Sequence, residues 1–197
     1  MAEYPYGSIQ KLADNLRHFG IQNNVITRIM ECGDAPLLKR DKPARAEWYR
    51  GAMERLDRLV DEPTRQAVRR ACACCLGGKR YEMVKAIAAR HQTLDDRVRA
   101  ADKAKLVFGH SVTLEDDGRV RVLFAPEGLE SYGCPCLPVS NEPMPVSYCY
   151  CCAGHAQHHL ETALGRKTEV EVVCTALSTC GKKPCTFLFR LVGSPIS

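Results

Sequence analysis

Ser147-Tyr-Cys-Tyr-Cys-Cys-Ala-Gly-His-Ala-Gln-His-His-Leu-Glu-Thr-Ala-Leu-Gly165 is the stretch on which the reading of this chain turns. Cys149, Cys152, Ala153, Ala156, Leu160, Ala163 and Leu164 fall on one helical face. Ser147 suits an N-cap, and Gly165 suits the left-handed residue that ends a helix. On both sides of this helix the apolar period drops to two. Upstream, Val112 and Leu114 alternate with polar residues, Asp117-Gly118 is a hairpin turn signal, and Val120, Val122 and Phe124 resume the alternation. Downstream, two strands are expected over Thr168 to Ala176 and Cys185 to Val192. Residues 105–197 therefore read as a β-β-α-β-β antiparallel-sheet domain.

Residues 1–104 read as helix throughout. Ile9, Leu12, Ala13, Leu16 and Phe19 form a stripe that Ser8 can cap and Gly20 ends. Ile21, Val25, Ile26 and Ile29 form a second, and Trp48, Ala52, Leu56 and Leu59 a third. Asp61-Glu62-Pro63 starts another helix, expected to carry Cys72 and Cys75 on its apolar side and to stop at Gly77-Gly78. A further helix spans Tyr81 to His91, and Thr93 with Asp96 marks the N-terminus of the next. The whole is α+β: a helical region followed by a sheet domain.

No apolar run reaches the roughly 18 to 20 residues of a membrane span, and Met1 to Tyr6 carries neither a basic start nor an apolar signal core. A cytoplasmic protein is expected, and that changes the meaning of its twelve cysteines. Reducing compartments keep thiols free, so clustered cysteines point to metal rather than to disulfides. The formal charge of +5 is mild, and Arg65, Arg69 and Arg70 read as a solvated helix face among acidic neighbours, so no nucleic acid or membrane partner is expected.

Cys151-Cys-Ala-Gly-His155, Ala163-Leu-Gly-Arg166, Glu171-Val-Val-Cys174 and Cys185-Thr-Phe187 resemble the signature of the 4-vinyl-reductase-type small-molecule-binding domain. The resemblance covers about the last fifty residues. It implies a zinc ion held by Cys151 or Cys152, Glu171, Cys174 and Cys185, and a pocket for a small apolar or aromatic molecule. Glu171 and Cys174 are three apart, so a regular strand would send them to opposite faces and a bulge near Val173 is required.

Read from the residues alone, a rival zinc site uses Cys151, His155 and His159 at i, i+4 spacing. A second metal site drawing on Cys32, Cys72, Cys75, Cys134 and Cys136 from both halves stays open, with an iron–sulfur cluster the less favoured occupant. Phe108, Val122, Phe124 and Tyr148 are candidates for the ligand pocket. No nucleophile, base and orienting group form a recognisable catalytic set. The leading expectation is thus a zinc-containing sensor or carrier of a small molecule. A metal-dependent hydrolase or reductase-like enzyme and a thiol-based metal or redox handler are the alternatives, and monomer and homodimer are both open.

Overall fold

The computed structural model describes Tyr4 and residues 6–193; Met1 to Glu3 and Pro5, part of the stretch read for a leader, lie outside the described residues. Among the described residues, nine helices and four strands follow in order: α1 (Gly7–His18), α2 (Asn23–Ile29), α3 (Leu37–Arg40), α4 (Lys42–Leu59), α5 (Glu62–Ala71), α6 (Gly78–Arg90), α7 (Leu94–Lys103), α8 (Lys105–Phe108), β1 (Ser111–Leu114), β2 (Val120–Leu123), α9 (Val146–Leu164), β3 (Lys167–Cys174) and β4 (Thr186–Val192). The strands form one antiparallel sheet in the order β1-β2-β4-β3, so the α+β architecture expected from the sequence is the one observed. Among the described residues, no helix is long and apolar enough to cross a membrane.

Several boundaries follow from local chemistry. Asp61 accepts a hydrogen bond from the Thr64 backbone N–H at 3.0 Å and starts α5, and Thr93 does the same for α7 through Asp96 N–H at 3.2 Å. Gly165 takes the left-handed φ of 64° that ends α9. Ser8 and Ser147 do not cap; Ser8 instead shares a 2.6 Å hydrogen bond with the Tyr49 hydroxyl.

The end of α5 differs from the expectation in a way that matters. The helix stops at Ala71, not at Gly77-Gly78, and the segment from Cys72 to Gly77 leaves it as a strap. Cys75 turns that strap with a left-handed φ of 60°, a conformation few non-glycine residues adopt. Gly78 then begins α6 rather than ending α5.

Two apolar cores result, and they do not divide at residue 104. The first packs α1, α2, α4 and α5 against Leu137, Met144, Tyr148 and Leu177. The second sets α6, α7 and α8 with the inner face of the sheet, where Val120, Val122, Phe187 and Phe189 are fully buried. Helix α9 belongs to both: Tyr148 and Cys149 enter the first core, and Ala153, Ala156, Leu160 and Ala163 the second. Periodicity reports which face of a helix is apolar but not what covers it, so the partition was invisible in the sequence.

Helix α9 reaches α5 through Gly154. A Cβ placed there would lie 2.9 Å from Arg70 Cα and closer still to the Arg70 carbonyl oxygen. Backbone cannot yield as a flexible side chain would. Gly154→Ala should therefore cost about 2 kcal/mol or more by overpacking, read as a lower urea midpoint, whereas Gly7→Ala, with open space around it, should leave the midpoint nearly unchanged.

Candidate functional site

Because α5 and α9 touch at Gly154, the Cys72–Gly77 strap lies along the polar side of α9. Two histidines pin it there. His155 turns Nδ1 to the Cys74 carbonyl at 2.9 Å and Nε2 to the Val107 carbonyl at 3.1 Å. A neutral ring donates to only one of these. His159, with none of its surface exposed, donates from Nε2 to the Cys75 carbonyl at 3.0 Å, while its Nδ1 is buried without a partner. His159 is thus a structural clasp, and His155 donates to the strap or to the Val107 carbonyl according to its tautomer.

Between the strap, the start of α9 and the loop after β2 lies a cavity of about 480 Å³. Seven thiols line it: Cys74 and Cys75 from the strap, Cys134 and Cys136 from the loop, Cys151 and Cys152 from α9, and Cys185 from the entry to β4. Phe124, Tyr132 and Leu106 give it an apolar wall. Arg80 and Lys105 stand among the lining residues, which include no carboxylate. Lys105 is held by Asp102 at 3.1 Å, whereas Arg80 donates to the Leu106 carbonyl at 3.1 Å and pairs with no carboxylate among the described residues.

The thiols are not equivalent. Cys151 and Cys152 have their sulfurs 4.0 Å apart. Sharing one proton between the two sulfurs lowers Cys151 and raises Cys152, the Arg69 guanidinium adding to the fall. Cys134 falls and Cys136 rises by the same thiol-to-thiolate sharing. Burial pushes Cys185 up to about 11.

Of the residues expected to hold zinc, Cys151, Cys152, His155 and Cys185 line the cavity, and Glu171 and Cys174 do not. The bulge that Glu171 and Cys174 required is present, as a register shift between Val172 and Cys174. Glu171 nevertheless lies on the exposed face, 3.7 Å from Arg119; Cys174 donates to the Pro184 carbonyl at 3.2 Å, and Cys185 accepts from Ala176 N–H at 3.4 Å. Among the described residues, no three His, Cys, Asp or Glu side chains are grouped to hold a metal ion.

The second expected site is split as well. Cys75, Cys134 and Cys136 join the cavity, but Cys72 is engaged with Asn15 and the Lys11 carbonyl, and Cys32 is exposed beyond the end of α2. All twelve cysteines are free thiols. Of the four pocket candidates, Phe124 lines the cavity. Phe108 and Val122 are second-core residues, and Tyr148 packs edge-on against Tyr49 with ring centroids 4.9 Å apart.

Sequence reasoning missed Arg69. Read as part of a solvated face, it is 3% exposed, donates to the Tyr148 carbonyl at 2.8 Å and sits 5.0 Å from the Tyr148 ring centroid. Its spacing was a usable signal: Arg69 lies beside Val68 and three residues before Cys72, so the three share one side of the helix that the sequence predicts. Arg80 and Tyr132 carried no comparable signal.

These features define an α+β protein with a thiol-lined cavity bridging its two cores. The model of a family of unknown function, DUF6144, matches residues 21–190, and the chain belongs to that family. No curated protein and no solved structure matches it.

The buried clasp has a pH signature. Burial, with His155, His158 and Arg80 nearby, pushes His159 from 6.5 down to about 4. Between those values the unfolded chain binds the proton and the folded chain does not. Stability is therefore whole above about pH 6.5 and is lost as pH falls toward 4, by at most about 3 kcal/mol. Urea unfolding across this range should show the decline in the native protein and a shallower one in His159→Gln.

Proposed function

We propose that this protein binds a small molecule, with an apolar body and an anionic group, in the thiol-lined cavity, and acts as a sensor or carrier. One observation carries the reading: a cavity of about 480 Å³ with an aromatic wall, an arginine, Arg80, that pairs with no carboxylate among the described residues, and no lining carboxylate. That volume is in the range of small-molecule sites, which are mostly apolar with a few placed polar groups. The resemblance of the C-terminal motifs to a 4-vinyl-reductase-type small-molecule-binding domain points the same way. Free thiols in such number fit the reducing cytoplasm.

The probe is 8-anilinonaphthalene-1-sulfonate, which is anionic and aromatic. Saturable binding with a stoichiometry of one to the folded protein is expected. Arg80→Glu should weaken it by about fivefold, the weight of one exposed ion pair, and Ala125→Trp, which fills the cavity, should abolish it. Binding that survives Ala125→Trp would remove the cavity as the site.

Metal content separates this reading from a metal-holding role. Elemental analysis should find less than one zinc per chain; a full equivalent of zinc, lost in Cys151→Ser, would move the function to metal binding.

A further inference from the structure

Four separate stretches of chain bring seven free thiols to one cavity. A cysteine kept for packing is a small buried hydrophobe. None of these seven is buried: Cys74 and Cys75 are exposed, and Cys134, Cys136, Cys151, Cys152 and Cys185 are half-buried. Two of the sulfurs already have the spacing of ligands to one ion. Cys151 and Cys152 stand 4.0 Å apart; with metal–sulfur bonds of about 2.3 Å, that separation subtends about 120° at an ion between them, the angle of a three-coordinate site. A third sulfur is at hand in the loop after β2, where Cys134 acts electrostatically on Cys151 and Cys136 on Cys152.

A structural zinc site needs four ligands in place. Among the described residues no three donors are already closed about one point, so the cavity suits a soft ion that two or three thiolates satisfy. Thiolate sulfur selects monovalent copper, whereas harder ions take oxygen, and no carboxylate lines this cavity. Arg80 and Lys105 stand among the lining residues, where they offset the negative charge that thiolates around a monovalent ion leave.

We propose that the cavity binds one cuprous ion between the sulfurs of Cys151 and Cys152, with a third thiolate drawn from the Cys134–Cys136 loop. The ion enters and leaves as copper(I). Each ligating thiol gives its proton to water, so one ion and three thiols become a doubly negative tris-thiolate and three protons, with no change of oxidation state. The set differs from the zinc ligands that the C-terminal resemblance implies, since Glu171 and Cys174 do not line the cavity. It goes beyond the small-molecule reading and does not rest on it, although the two occupants share one cavity.

The test uses the full reduced chain without oxygen, with copper(I) supplied as its bicinchoninate complex. The chain should withdraw one copper per molecule and bleach the chelator's colour. Iodoacetamide footprinting of the loaded native chain should find Cys151, Cys152 and at least one of Cys134 and Cys136 protected, with the exposed Cys32 still alkylated. X-ray absorption should find sulfur alone around the copper. Cys152→Ser should weaken binding by more than about tenfold, since even an outer partner of a metal ligand is worth that much, and Cys32→Ser should leave it unchanged. No copper withdrawn, protection that misses Cys151 or Cys152, or nitrogen or oxygen in place of sulfur would overturn the proposal. Those results are read on the native chain and stand even if Cys152→Ser does not fold. Native affinity in a folded Cys152→Ser would overturn it as well. Sulfonate dye binding is measured on the metal-free chain: its presence beside a failed copper titration leaves the small-molecule reading standing, and its absence beside a successful one leaves the copper site standing.

Discussion

The contact on which this molecule depends is the backbone-to-backbone approach of α5 and α9 at Gly154 and Arg70. Only a residue without a Cβ allows it. From that point the rest is placed: α5 ends one residue beyond Arg70, and the strap that leaves it runs beside the start of α9. Thiols 74 and 75, remote in sequence, thereby face thiols 151 and 152 across one cavity.

Polar groups then hold what the glycine allows. His159 donates to the Cys75 carbonyl of the strap and His155 sets Nδ1 against that of Cys74, where no helix or strand supplies a donor. Arg69 satisfies the Tyr148 carbonyl and gives the contact its positive charge.

Much of the secondary structure was legible because its causes are local. The Asp61 and Thr93 caps, the Gly165 stop and the Asp117-Gly118 hairpin each depend on a few neighbouring residues. The early end of α5 was not, since Cys72 to Leu76 contains no strong helix breaker; the tertiary bonds to the histidines stabilise the extended path instead. Phe108, Val122 and Tyr148 were misplaced for a related reason. An apolar residue on an amphipathic element looks the same whether it faces a cavity or a packed neighbour.

The sequence by itself determined the α+β class, the strand pairing expected of the hairpin, and the concentration of cysteines around one helix, because periodicity, turn chemistry and composition are written residue by residue. Only the tertiary structure decided which cysteines share a cavity, that Glu171 and Cys174 stay outside it, and that Arg69 is buried. Those outcomes depend on how two helices cross and on which charges are taken from water together, and neither is encoded at any single position.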